Sequence, residues 1–161
     1  MIYRIRQFWY ALWPKIDNNE LLWAQSILPA SAFSLFINQS MPEKRHALDV
    51  ARDLFLSHPK DKHLLVAALL HDCGKSQNTL KLWERIYIVL LQKASSKTWN
   101  LLLHSHSVLS SPLRTAQEHP VWGAKMARNA GLNEEVVQLI LNHHNPQTSV
   151  GQLLFEADNR H

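Results

Sequence analysis

The chain has 161 residues, 46% hydrophobic and 19% charged, which excludes an intrinsically disordered protein and suits one compact domain. A single cysteine excludes an internal disulfide framework, so we expect a reducing, cytoplasmic location. The formal net charge is +4, but no basic run is interleaved with aromatic residues, so the charge favours a small anionic substrate over a dedicated nucleic-acid interface.

Glycine and proline are scarce, with four and seven residues, which disfavours a β-sandwich or barrel. The composition therefore predicts an all-α fold, a compact bundle of helices. No apolar stretch approaches the roughly 20 residues needed to cross a bilayer, so no transmembrane segment is expected. We expect the aromatic-rich residues 1–40 to form a helical extension that packs on a domain over residues 41–161. The alternative for this extension is a membrane-surface anchor that uses Arg4 and Arg6.

The first helix of the predicted domain follows Ser40. Ser40 and Glu43 have the spacing of a capping box, and Pro42 is tolerated in a first turn. The apolar stripe of this helix recurs at helical spacing and carries His46 at its edge.

The segment over residues 64–70 is apolar on every side, which predicts a central helix that Gly74 ends. This helix presents His71 and Asp72 at its C-terminal end. Further helices are predicted over residues 80–94 and 99–109.

Three helices are predicted in the last third of the chain. Pro120 in a first turn and Gly131 after the last turn bracket one helix, which His119 precedes. The next runs over residues 133–144 and ends in His143 and His144, and the last spans about 148–160.

Polar residues interrupt the apolar faces of the last two helices. On the helix over residues 133–144, two neighbouring rows of apolar residues with i, i+3, i+4, i+7 spacing end in histidine, one at His143 and the other at His144. On the last helix, Asp158 falls on the face that is predicted to point into the core. A carboxylate that is buried in ionised form must be paired or bound to a cation.

A single inward histidine is more often a hydrogen-bonded core residue than a metal ligand. Here, however, several candidates lie at helix ends or inner faces: His46, His71, Asp72, His119, His143 or His144, and Asp158. This convergence predicts a buried metal site, whose nitrogen and oxygen ligands favour manganese, iron, cobalt, nickel or magnesium over a closed zinc site.

The motifs stand in a specific order. H-D-C-G-K at 71–75 follows the helical His46, and H-P-V-W-G-A at 119–124, L-I-L-N-H-H at 139–144 and E-A-D at 156–158 come after it. Over about residues 41–160 this order resembles the HD superfamily of metal-dependent phosphohydrolases. The resemblance implies one or two divalent ions, the first held by His46, His71, Asp72 and Asp158, the second by His119, His143 and His144 with Asp72 as a bridge.

The resemblance also implies a function. We expect a phosphohydrolase or phosphodiesterase that cleaves a nucleotide or another small phosphate ester through a metal-activated water. Asp72 and Lys75 are the implied catalytic residues, with Lys75 facing the substrate phosphate.

Two branches of the superfamily bear on the substrate. HD-GYP enzymes carry a Gly-Tyr-Pro loop, whereas this chain has Asn145 and Pro146 after the histidine pair. Three-metal members carry a glutamate at the position of Pro42, so at most two ions are expected. Symmetric diadenosine tetraphosphate hydrolases are nearer in length.

Two alternatives remain for the function. A sensory or scaffold domain would keep the fold and the metal without turnover. The second alternative is an enzyme that uses Cys73 as a nucleophile with a nearby histidine. Cys73, however, occupies the variable position of the H-D-x-G-K motif.

Overall fold

The computed structural model describes residues 15–105 and 107–161, and within these ranges the chain forms nine α-helices, one 3₁₀ helix and no strand. The predicted all-α class is confirmed. Arg4 and Arg6, and with them the alternative of a membrane-surface anchor, lie outside the described residues. None of the described helices has both the length and the apolar character that crossing a membrane requires.

The helices follow one another through short connections. Their bounds are α1 Asn18–Ile27, α2 Ala30–Ile37, α3 Met41–Ser57, α4 Lys62–Leu70, the 3₁₀ helix Cys73–Gln77, α5 Leu82–Leu91, α6 Ser96–Leu103, α7 Ser110–Asn129, α8 Glu134–Leu141 and α9 Ser149–Arg160.

Helix α4 is the centre of the bundle, as its uniform apolar character predicts. All residues from Leu64 to Leu70 are buried, and α1, α2, α3, α8 and α9 pack around them. The Asp61 side chain accepts a hydrogen bond from the Leu64 backbone N–H at 3.0 Å and so caps the helix. Each fully buried leucine contributes roughly 1.5–3 kcal/mol, so α4 anchors the residues that follow it.

Helices α1 and α2 pack on the same core. Ala24, Ala32 and Phe36 are fully buried in it. Glu20 of α1 pairs with Arg45 of α3 at 2.7 Å, which ties the two helices together at the edge of the core. This packing agrees with the predicted N-terminal layer, while a domain boundary at residue 40 stays a prediction.

The predicted capping box at Ser40 is wrong. The Ser40 side chain makes no capping hydrogen bond, and its Oγ instead accepts one from Arg85 at 3.3 Å. Glu43 is buried and forms an ion pair with Arg85. A buried carboxylate needs a full opposite charge more than it needs a backbone N–H, so Glu43 turns toward α5.

The predicted start of the helix around Pro120 is also wrong. Pro120 lies inside α7, which begins at Ser110, so His119 projects from the middle of this helix. A proline removes one backbone hydrogen-bond donor and usually kinks or ends a helix. Here α7 continues through Pro120, because the helix packs on the bundle both before and after this residue. The C-terminal prediction is confirmed, because Gly131 has φ 77° and the Leu132 N–H returns to the Ala127 carbonyl at 3.1 Å.

Two more boundaries differ from prediction. The helix expected over residues 99–109 is α6, Ser96–Leu103. The helix expected to reach residue 144 is α8, which ends at Leu141, so His143 and His144 lie in the turn that follows.

Candidate metal centre

The predicted ligands gather at one end of the central helix. Two groups of three have ligand atoms within 4.8 Å of one another: His46, His71 and Asp72 form the first group, and His119, His143 and His144 form the second. Asp158 lies against the first group, within reach of two of its members.

Asp158 joins three parts of the fold at the first group. Its Oδ1 lies 2.8 Å from Nε2 of His46, on α3, and 3.5 Å from Nε2 of His71, which follows α4. Only 15% of the Asp158 side chain is exposed. The carboxylate therefore faces inward, as its position on α9 predicts.

Asp72 lies between the two groups. Its Oδ1 is 3.2 Å from His119 Nε2 and 3.9 Å from His143 Nε2, while its Oδ2 is 3.7 Å from His71 Nε2. One oxygen faces each group, so this carboxylate is placed to serve both. The arrangement agrees with the bridge that the resemblance implies.

Backbone carbonyls fix the tautomers of the three buried histidines. In each ring Nδ1–H donates to a carbonyl of the preceding helical turn, and Nε2 is left with its lone pair toward the centre. The pairs are His71 with Ala68 at 2.9 Å, His119 with Thr115 at 3.0 Å, and His143 with Ile140 at 2.7 Å.

The lone pairs face one another in a way that favours a cation. His119 Nε2 and His143 Nε2 are 3.3 Å apart, and His71 Nε2 is buried without a hydrogen-bond partner. Neutral nitrogens that meet in this way repel unless a proton or a metal ion lies between them, and a buried polar atom without a partner is costly. The donor set therefore fits a divalent metal ion.

The protonation states also suit metal binding. Burial raises the pKa of Asp72, but the charges of Lys75 and His71 outweigh it and hold that pKa well below its usual value. Burial, reinforced by charge on His71, holds the pKa of His143 well below its usual value, and burial also lowers that of His144. The ionised carboxylate of Asp72 and the neutral imidazoles of His143 and His144 are forms that bind metal. Burial lowers the pKa of His71, but the carboxylates of Asp72 and Asp158 outweigh it and raise that pKa, so a metal ion would displace a proton from this ring.

Gly74 lets the 3₁₀ helix approach α7. A Cβ on Gly74 would lie 2.0 Å from the His119 carbonyl oxygen and 2.7 Å from the Gly123 nitrogen. The prediction that Gly74 ends α4 is wrong, because its φ is not positive and it lies inside the 3₁₀ helix. Glycine is required here for contact, which brings Asp72 and His119 together.

A cavity of about 180 Å³ opens over the ligands, and we name it the metal-side cavity. Its lining residues are Pro42, Glu43, His46, Asp72, Lys75, Arg85, His144 and Asp158. Lys75 Nζ is 2.6 Å from Asp72 Oδ2. The cavity thus combines three carboxylates and two histidines with two cationic side chains, and divalent ions bound by these groups would add the positive charge that an anionic ligand needs.

Two charged residues of the cavity, Arg85 and Glu43, were not predicted as site residues. A signal was present for Glu43, which lies one helical turn before His46 and so shares its face of α3. Arg85 stands beside an apolar stripe of α5, and no local pattern assigns it to the cavity.

Cys73 is fully buried, with Sγ 3.9 Å from the Gly123 carbonyl oxygen. Burial raises the pKa of this thiol to about 12. Because the thiolate is the nucleophile, the arrangement disfavours the Cys73 alternative.

Comparison with known proteins gives one family assignment. No curated protein and no solved structure matches the chain significantly. The HD domain matches residues 45–161, which is most of the chain and contains every predicted ligand. The helical bundle and the His/Asp cluster agree with this match. The chain therefore belongs to the HD domain family, which is part of the superfamily of metal-dependent phosphohydrolases.

Proposed function

We propose that the protein is a metal-dependent phosphohydrolase that cleaves a nucleotide or another small phosphate ester. The observation that carries the proposal is Asp72, which lies between two clustered donor groups on the floor of a cavity walled by Lys75 and Arg85. The cofactor is one or two divalent ions from the set manganese, iron, cobalt, nickel and magnesium.

Two sets of side chains, which share Asp72, would hold the two ions. The first ion would be held by His46, His71, Asp72 and Asp158, and the second by His119, His143 and His144 with Asp72. When bound, such ions supply an activated water and neutralise charge at phosphorus. The buried imidazoles keep Nε2 free for this purpose because Nδ1 is committed to the backbone.

Lys75 and Arg85 bind the phosphate. Both side chains are partly exposed and line the metal-side cavity, so each can donate to a phosphate oxygen. Their charges offset the negative charge that develops in the transition state. Arg85 offers a planar pair of donors, while Glu43 holds its guanidinium in place.

No feature of the described residues favours the sensory or scaffold alternative. The ligand set that the resemblance requires is complete in sequence, and the open cavity above it includes Lys75 and Arg85 in its lining.

Metal analysis of the purified protein, followed by chromatographic separation of the hydrolysis products of each substrate, tests the proposal. The substrate panel contains mononucleotides, dinucleoside polyphosphates and cyclic dinucleotides, each assayed with the five metals. We expect hydrolysis with at least one metal, and a loss of about a hundredfold or more in Asp72→Asn, on the order of the loss of a direct transition-state group.

Glu134→Gln is the matched control. This carboxylate pairs with Arg128 on the exposed surface at the far end of α8, so its loss leaves the centre intact. A folded protein that binds none of the metals and hydrolyses none of the substrates contradicts the proposal.

A further inference from the structure

A second cavity adjoins the metal centre. It lies where the end of α5, the start of α6 and one face of α7 meet, and its volume is about 420 Å³. Leu91, Trp99 and Ala116 form its apolar walls, and Gln92 and Ser96 lie at its polar edge. We name it the Trp99 cavity.

His144 connects the two cavities. It lines both the metal-side cavity and the Trp99 cavity, and its ring centroid lies 3.9 Å from that of His143. A molecule with its phosphate over Asp72 can therefore extend past His144 into the Trp99 cavity. The two cavities therefore meet at this side chain.

The two cavities differ sharply in charge. Five charged side chains line the metal-side cavity, namely Glu43, Asp72, Asp158, Lys75 and Arg85, and bound divalent ions would add positive charge there. Among the described residues, by contrast, no aspartate, glutamate, lysine or arginine lines the Trp99 cavity. An occupant with one strongly anionic end and one neutral end matches this division. Such a molecule is a phosphate ester of a bulky neutral alcohol.

The lining of the Trp99 cavity also indicates the shape of that alcohol. The partly exposed indole of Trp99 provides a flat surface for stacking, and the Gln92 amide both donates and accepts hydrogen bonds. A hydrocarbon chain would leave the polar edge unused. The volume lies in the range of small-molecule sites and is large enough for an aromatic ring system.

We infer that the substrate carries a planar aromatic group, as a nucleotide does, and that this group stacks on Trp99 while the phosphate lies at the metal centre. The inference rests on the proposed phosphohydrolase function and specifies its substrate class. Trp99 is then a specificity-determining residue, and its contact adds affinity for the base without touching the reacting phosphate.

A matched pair of substrates isolates this contact. A 5′-mononucleotide and ribose 5-phosphate share the phosphate ester and the sugar, and only the first has a base. For Trp99→Ala we expect kcat/KM for the nucleotide to fall by about tenfold to a hundredfold, as the loss of base stacking implies, while kcat/KM for ribose 5-phosphate changes less than about twofold.

Three variants control for structural damage. Trp99→Phe retains a stacking surface and should keep most of the preference for the nucleotide. Trp83→Ala removes a tryptophan from the exposed face of α5, where it lines neither cavity, and should leave both substrates unaffected. Ala116→Leu fills the Trp99 cavity without removing a packed aromatic ring, so it should reproduce the selective loss even if Trp99→Ala does not fold.

Saturation-transfer NMR with metal-free protein gives a second readout that needs no activity. Base protons of the nucleotide should receive more saturation than its ribose protons, and Ala116→Leu should abolish the difference. The inference is overturned if wild-type protein cleaves ribose 5-phosphate as efficiently as the nucleotide, or if the variants weaken both substrates equally. If neither substrate is hydrolysed with any metal, the full substrate panel decides the proposed function and the NMR result decides the inference alone.

Discussion

Gly74→Ala should damage the fold and the metal centre together. The added Cβ would lie 2.0 Å from the His119 carbonyl oxygen and 2.9 Å from the carbon of the same carbonyl. Both atoms belong to the backbone of α7, so no side-chain rotation relieves the contact. Helix α7 must move away by about 1.4 Å to reach ordinary van der Waals separation from the new Cβ, and the 3.2 Å distance from Asp72 to His119 must change with it.

The expected cost follows from what surrounds each glycine. Overpacking costs about 1–3 kcal/mol where side chains can yield, so we expect about 3 kcal/mol or more for Gly74→Ala, where backbone blocks the new atom. At Gly123 the nearest atom is the Ile140 Cγ2 at 3.2 Å, which predicts a cost of about 1 kcal/mol. At Gly131 nothing lies within 4 Å, but φ is +77°, which predicts about 1–2 kcal/mol from backbone strain.

Urea unfolding and calorimetric titration with Mn²⁺ measure the two effects. Gly131→Ala is the matched control, since it should lose stability while it binds Mn²⁺ as tightly as the unmodified chain. Gly74→Ala should bind Mn²⁺ at least about tenfold more weakly, the loss typical of a disturbed ligand shell. The reasoning is refuted if Gly74→Ala costs less than about 1 kcal/mol and leaves Mn²⁺ affinity unchanged.

Three further predictions concern the core, the pH response and the thiol. Leu69 is fully buried in α4, so Leu69→Ala should lower the free energy of unfolding by about 2–5 kcal/mol. The Leu90 side chain is 64% exposed, so Leu90→Ala should change that free energy by less than about 0.5 kcal/mol. Denaturant titration of the two variants compares these values. Burial raises the pKa of Glu20, but hydrogen bonds with Arg45 and the Asp17 backbone outweigh it and hold that pKa below its ordinary 4.5. The ionised Glu20 side chain therefore stabilises the fold fully above about pH 4.5, and this stabilisation is lost as the pH falls through the pKa of Glu20 in the folded protein. The unmodified chain should be more stable than Glu20→Gln at pH 6, and the difference in the free energy of unfolding should be smaller at pH 3.5. Denaturant unfolding at the two pH values measures this difference. Cys73→Ser should retain phosphohydrolase activity within about threefold, because a thiol with a pKa of about 12 is not the nucleophile; a loss on the scale of Asp72→Asn would contradict this.

Hydrophobic periodicity was sufficient to predict the central helix and the inward direction of Asp158. Helix α4 has no polar face, so only a central position buries it, and Asp158 follows Leu154 by one helical turn on a buried face. These are local consequences of side-chain spacing. They needed no knowledge of the partners that each face meets.

The errors arose where distant contacts override local preference. Glu43 has the spacing of a capping residue, yet it pairs with Arg85 from a helix 42 positions later in the chain. Pro120 is a typical first-turn residue, yet α7 continues through it because both halves of the helix pack on the bundle. Similarly, periodicity could not choose between His143 and His144, because both lie beyond the last turn of α8, where helical spacing no longer applies.

The anchoring of the three buried imidazoles bears on how metal preference could be redesigned. Main-chain carbonyls one turn back determine the ring planes of His71, His119 and His143, so altering a neighbouring side chain does not rotate these rings. The carboxylates of Asp72 and Asp158, by contrast, are oriented by side chains that can be exchanged. Efforts to shift selectivity from one ion to another should therefore begin with Lys75, which contacts Asp72 and is not itself a proposed metal ligand, and should leave the histidines in place.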